Sequence, residues 1–165
     1  MAKDEIEEFI QLWEHESGVT KDLFKTIPND KFEFRPDPQG RSIGELAQHI
    51  AEVETIFSTI ARERAFPGSR PAGLETPRNA ADLVSGYERI HRDAVERVRG
   101  LRPEDLDREF PFFGRQISVR QVLRFPLLHH QIHHRGQLMM LIRQAGAVPS
   151  RVYGPSREES AAAGR

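Results

Sequence analysis

Between Leu127 and Gln137 the chain reads Leu-Leu-His-His-Gln-Ile-His-His-Arg-Gly-Gln, which places four of its 7 histidines on one turn and a half of helix. The leucines around them recur at helical spacing, so whatever fold forms must bury a helix studded with imidazoles. His130/His134 and His129/His133 are both i, i+4 pairs. Such pairs stand on one helical face with Cβ atoms roughly 5–6 Å apart, a separation at which two imidazoles grip one metal ion, as in H-E-x-x-H sites. Here Gln131 follows the first histidine, so the base of a zinc protease is missing. At about 100° per residue, Leu123, Leu127, Leu138 and Leu141 lie within about 60° of His130 and His134. The other pair turns toward Val122, Gly136 and Met140. The leucines mark the core side, and the spacing therefore predicts that His130 and His134 point inward. The bland alternative is a pair of core histidines without a metal.

The same helix carries a second apolar stripe, Phe125, Leu128, Ile132 and Met139, opposite the histidines. A helix apolar on two sides is buried on two sides. The second side is expected to meet a partner, most simply an identical subunit in a homodimer, with the 102–117 connection as the rival cover. Pro126 removes a backbone hydrogen bond and clashes with the preceding turn, which predicts a kink over Val122–Pro126. Gly136 costs about 1 kcal/mol relative to alanine inside a helix; close approach of another backbone would explain it. Gln137 shares the face of His134 and is a candidate to touch a metal-bound water or thiol. Arg135 points away from His130 and reads as a surface or interface residue.

Three further helices precede this one. From Asp4 to about Ile27, Ile6, Phe9, Ile10, Trp13, Leu23, Phe24 and Ile27 keep a helical period, interrupted at Ser17, Gly18 and Thr20. Ser17 and Thr20 fall on the apolar side, as buried hydroxyls bonded to backbone or as the wall of a polar cavity. Pro28–Arg41 is a loop with Phe32 and Phe34 tucked under it. Ser42-Ile43-Gly44-Glu45 is a capping box and opens a helix to about Arg64, with Ile43, Leu46, Ile50, Val53, Phe57 and Ile60 as its stripe. His49 lies at the edge of that stripe and is the natural third ligand beside His130 and His134. Glu45 and Glu52 flank it and are candidates to hold its second ring nitrogen. A loop rich in Pro and Gly runs from Phe66 to Arg78. The next helix, from about Asn79 to Arg99, has Leu83, Tyr87, Ile90, Ala94 and Val98 as its core face. His91 lies within that face and is the rival third ligand. Phe110-Pro111-Phe112-Phe113-Gly114 is too apolar to stay in water and predicts a tight turn or hairpin over one end of the bundle, as a possible wall of the site. A second capping box, Ser118-Val119-Arg120-Gln121, opens the histidine helix, which ends near Gly146. The pattern as a whole is all-α, a four-helix bundle with a short turn or hairpin between the third and fourth helices.

Composition narrows the function classes. The formal net charge is −1 with no block of like charge, which argues against a nucleic-acid surface and against an anionic membrane. No apolar run approaches the ~20 residues that span a bilayer, and Met1-Ala2-Lys3-Asp4-Glu5-Ile6 reads as an acidic helix start rather than a signal peptide. With no cysteine, thiolate ligands, disulfides and a cysteine nucleophile are excluded. The expected compartment is the cytoplasm and the expected partner a small-molecule substrate.

The segment His130-Gln131-Ile132-His133-His134-Arg135-Gly136-Gln137 resembles the H-x-x-H-H-R-G-Q motif of DinB-like (damage-inducible, DinB/YfiT-like) metalloenzymes. Arg41-Ser42-Ile43-Gly44-Glu45-Leu46-Ala47-Gln48-His49-Ile50 is similar to the second-helix motif of that family, and Phe34-Arg35-Pro36 and Tyr153-Gly154-Pro155-Ser156 fit it as well. The resemblance covers about residues 1–157 as a single domain, leaving 158–165 as a disordered tail. It implies a four-helix bundle holding a divalent metal (nickel or zinc, with iron as a third choice) on His49, His130 and His134. Characterised relatives transfer a low-molecular-weight thiol such as mycothiol or bacillithiol, which implies a thiol S-transferase acting on a small electrophile with an exogenous thiol as co-substrate. Three histidines leave a metal with open positions, the mark of a catalytic rather than a structural site. A metal-dependent hydrolase and a non-catalytic metal- or stress-ligand-binding protein need the same triad and stand as alternatives.

Overall fold

The computed structural model describes residues 2–66 and 76–164, so most of the loop expected over Phe66–Arg78 lies outside the described residues. Four rods form the bundle. Helix α1 is Ala2–Lys25, α2 is Ile43–Glu63 and α3 is Ala80–Arg99. The fourth rod is continuous but changes character: α4 Val119–Val122, a π-helical segment Leu123–His129, and α5 His130–Gln144. Around the bundle, α1 packs on α3, α3 on α2, α2 on α5, and α5 returns to α1.

The starts of the rods follow local chemistry. The Ser42 hydroxyl accepts the Glu45 amide while the Glu45 carboxylate accepts the Ser42 amide; Ser118 and Gln121 repeat the arrangement, and Asn79 caps α3 by accepting from Asp82. Each cap satisfies amides that a helix start otherwise leaves orphaned. The loop before α2 is clamped onto it, because the Gly44 amide donates to the Phe32 carbonyl (2.9 Å) and the Ile43 amide to the Phe34 carbonyl (3.1 Å). A Cβ on Gly44 would lie 2.8 Å from Phe32 Cδ1, so this approach requires glycine.

Pro126 has no amide to give, and the segment around it, Leu123–His129, is π-helical: the His130 amide reaches the Phe125 carbonyl. Such turns recur beside functional sites, and this one ends where the histidines begin. Helix α1 runs unbroken through Ser17, Gly18 and Thr20, with the Thr20 hydroxyl donating back to the Glu16 carbonyl (2.9 Å). Gly136 meets open space within 4 Å, so the expected close backbone approach is absent there.

The aromatic connection forms the predicted hairpin. Strands β1 Glu109–Phe112 and β2 Arg115–Ser118 pair antiparallel, from Glu109 opposite Ser118 to Phe112 opposite Arg115. Phe113 and Gly114 make the two-residue turn at φ 46° and 78°, the left-handed geometry that matches strand twist in a hairpin. Phe110, Phe112 and Ile117 turn inward to join Trp13, Ile60, Val98 and Leu127 in one half of the core. Leu128 is buried in that half and Ile132 packs on it, while Met139 packs on the other half and Phe125 is half exposed. The second stripe of the fourth rod is thus largely covered within the chain.

Where the sequence suggests a disordered tail after 157, a short helix α6, Arg157–Ala162, stands in the structure. Ser156 caps it by a capping box, and Arg143 of α5 holds Glu158 through two nitrogens at 2.9 and 3.0 Å. No helix among the described residues is long and apolar enough to cross a membrane.

Candidate metal centre

His49 comes from the middle of α2, and His130 and His134 from the first turns of α5, the rod that packs beside it. One ring nitrogen from each of the three lies within 4.8 Å of the other two. His49 Nε2 and His130 Nε2 are 3.2 Å apart. Two nitrogens each ~2.0–2.1 Å from one tetrahedral ion lie about 3.3–3.4 Å apart, so the pair is already at the spacing of two ligands. Phe57, about two turns further along α2, closes one side with its ring centroid 5.9 Å from that of His130 and 6.4 Å from that of Phe112 on the hairpin. The hairpin therefore braces the wall of the site through Phe57.

The protonation state suits a cation. Burial, reinforced by the charges of His134, His133 and Arg41, pushes the His130 ring down to about 4 from its usual 6.5. Burial likewise lowers His134, opposed by the hydrogen bond that its ring donates to Gln137. Both shifts favour the neutral ring, the form that binds metals. Gln137 Oε1 lies 2.6 Å from His134 Nδ1. An amide oxygen only accepts, so Nδ1 carries the proton and Nε2 keeps the free lone pair. The amide nitrogen of Gln137 in turn donates to His133 Nε2 at 3.1 Å. Gln137 is thus engaged behind the ring of His134, rather than aimed at a metal-bound water. The three rings together can hold one metal ion.

The other candidate histidines lie elsewhere. His129 and His133 are exposed, and His129 stands over Phe125. His91 is on α3, across the bundle, where its Nδ1 donates to Glu54 Oε2 at 2.8 Å. Glu45 is occupied by its own cap and by Arg35 at 2.8 Å, and burial-side Glu52 accepts from Gln48 at 3.0 Å.

Two polar clusters in the core escaped the sequence reading. Glu54, fully buried on α2, collects Trp13 Nε1 (3.3 Å), the Tyr87 hydroxyl (2.7 Å) and Gln131 Nε2 (2.6 Å) on one oxygen, besides His91 on the other. Burial, and Glu54 beside it, pushes the Tyr87 hydroxyl well up, so it stays protonated and donates. One α5 turn on, Arg135 is 1% exposed and its guanidinium meets Glu16 Oε2 (2.5 Å), the Glu16 carbonyl (3.0 Å), Thr20 and the Tyr153 hydroxyl. Arg135 is a core residue, not a surface one. The signal was present: Glu54 stands four residues after Ile50 and three before Phe57, on the apolar stripe itself.

These clusters explain where the histidines sit. The deepest line of the fourth rod is Leu127, Gln131, Arg135, Leu138 and Ile142, all buried. His130 and His134 are each one residue off that line and half-buried, on the side facing α2.

The DinB family matches this chain over residues 1–165. The chain belongs to the DinB family. YrdA, an uncharacterized protein of Bacillus subtilis strain 168, is 27% identical over 156 residues, covering 93% of this chain and 91% of its own. YjoA of the same strain, also uncharacterized, is 28% identical over 132 residues, covering 78% of this chain and 83% of its own. The crystal structure of a DinB-like protein from Bacillus cereus ATCC 10987 superposes with a TM-score of 0.75 at 27% identity, over 89% of this chain and 97% of that one. That of the YjoA protein superposes at 0.68, and at 23% identity it speaks for the fold alone.

Proposed function

We propose that this DinB-family protein is a metal-dependent enzyme that joins a low-molecular-weight thiol to a small electrophile. The observation that carries the reading is the triad of ring nitrogens within 4.8 Å, supplied by His49, His130 and His134. His49, His130 and His134 would hold the ion, with nickel or zinc the metals that imidazole donors suit and iron next. A divalent ion in an open three-histidine site lowers the pKa of a thiol or water that it binds and so supplies a nucleophile near neutral pH. Gln137 fixes the tautomer and tilt of His134, and Phe57 excludes water from one side. In the reaction a C–S bond forms, the thiol proton passes to solvent and the leaving group of the electrophile departs. The chain contains no cysteine to compete for the metal or be consumed by the electrophile.

The test is to incubate metal-loaded protein with bacillithiol, mycothiol, glutathione or cysteine and with monochlorobimane. Conjugation above the uncatalysed rate that disappears in His134→Ala supports thiol transfer. Turnover of an ester or amide panel without thiol dependence points to a hydrolase, and no turnover at all points to a binding protein. The reading places the enzyme in the cytoplasm, where such thiols occur, and as a homodimer joined over the exposed Phe125 edge. Sedimentation of a monomer at high micromolar concentration argues against that assembly.

A further inference from the structure

Beside the histidines, on the side away from the hairpin, runs a groove of about 360 Å³ between the 36–41 loop and α5. That volume is at the small end of the range of about 300–1,000 Å³ typical of small-molecule sites. Its walls are Pro36, Leu46, Met140 and Leu141, with Arg41 and Gln137 as the polar groups toward the histidines and Asp37 at the loop. Gln137 belongs to both places at once: it lines the groove and holds His134 Nδ1 at 2.6 Å. The groove therefore runs up to the ring of His134 from its Nδ1 side. Met140 is 59% exposed, a large apolar side chain left at the rim.

Its charges are not equivalent. Asp37 is folded into its own turn, with Oδ1 accepting the Gln39 amide at 3.0 Å. Arg35, the neighbouring cation, is tied to the Gly40 carbonyl (2.9 Å) and to Glu45 (2.8 Å). Arg41 forms no ion pair among the described residues, and its charge reaches Glu45 as well as His130 and His134. A divalent metal held by the three histidines would add positive charge beside them. An apolar trough with one uncommitted guanidinium beside a cation selects an anion with an apolar body, and guanidinium is matched in shape to carboxylate.

We infer that the groove is the binding site of the electrophilic co-substrate, and that this co-substrate is a small carboxylate whose short apolar body lies on Leu46, Met140 and Leu141 and whose carboxylate pairs with Arg41. The inference rests on the proposed function only in taking the histidines as the reacting end of the groove.

The experiment is calorimetric titration with hexanoate, acetate and hexylamine, on the full chain, both zinc-loaded and metal-free, with zinc content measured on each sample. Hexanoate is expected to bind at least tenfold more tightly than acetate or hexylamine. Arg41→Gln and Met140→Glu, both at exposed positions, should each weaken hexanoate at least tenfold, with helical content and zinc content unchanged. Hexanoate binding no tighter than acetate, or unaffected by Arg41→Gln, overturns the inference. Binding that survives Arg41→Gln but vanishes on removing zinc also overturns it, because the carboxylate is then on the metal. If the chain takes up no zinc, the metal reading fails by itself; Arg41-dependent binding of hexanoate to the metal-free chain would still support the groove, and its absence would reject it.

Discussion

Gln137 Oε1 stands 2.6 Å from Nδ1 of His134, and that one contact determines which nitrogen His134 offers to the centre of the site. Partners behind a ligand ring typically account for 10–100-fold in metal affinity. Gln137→Ala should therefore weaken zinc binding by about 10–100-fold while leaving one site per chain at saturation. Competition against a chromogenic chelator measures it. Unchanged affinity would show that the His134 ring is held by packing alone.

The Arg135–Glu16 pair is an ion pair inside the core, with side chains 1% and 7% exposed. Removing one partner of such a pair typically costs about 3–5 kcal/mol, because the other charge stays buried. Arg135→Ala should lower stability in urea by about that amount. Replacing both at once, with Arg135→Met and Glu16→Gln, should cost less than Arg135→Ala alone. The comparison must be made metal-free, since bound metal adds its own stabilisation.

Two glycines should respond with opposite signs. Gly136 faces open space inside α5, so Gly136→Ala should raise stability by up to about 1 kcal/mol. A Cβ on Gly44 would lie 2.8 Å from Phe32 Cδ1 and 3.2 Å from the Phe32 carbonyl. Gly44→Ala should destabilise by about 1–3 kcal/mol, as overpacking does. Thermal melts of the two variants settle both signs.

The pH dependence of the metal-free chain follows from His130. Its folded-state pKa is about 4 against an ordinary 6.5. Between those values the unfolded chain binds the proton and the folded chain does not, so stability rises with pH. The contribution is fully present above about 6.5 and is lost as pH falls toward 4. Replacing His130 with Asn should flatten that part of the profile of urea midpoint against pH. A profile as steep in the variant would assign the slope to other groups.

Much of the fold could be read from periodicity and capping. Leu83, Tyr87, Ile90, Ala94 and Val98 are all buried as their spacing predicts, and both capping boxes begin helices where they stand. The choice of His130 and His134 over His129 and His133 also followed from the leucines. What periodicity could not show was that polar residues occupy the deepest line of the fourth rod. Gln131 and Arg135 are held there by partners on other helices, Glu54 and Glu16; spacing puts Glu54 on the apolar stripe of α2 but does not say which residue across the bundle meets it. His91 was ambiguous for the same reason, since its distance from His130 depends on which rods are neighbours. Pro126 marks a disturbance of the rod, but local sequence does not say that the disturbance takes a π-helical form.

Everything proposed for this site depends on His49, His130 and His134 holding one divalent metal. Elemental analysis of protein produced without a metal-affinity tag, together with zinc titration of the metal-free chain, tests it most directly. The account predicts one metal per chain, lost in His49→Ala, His130→Ala and His134→Ala with helical content retained, and kept in His129→Ala and His91→Ala. Loss of the metal in His129→Ala or His91→Ala with retention in His130→Ala, or no stoichiometric metal in the parent chain, would contradict it.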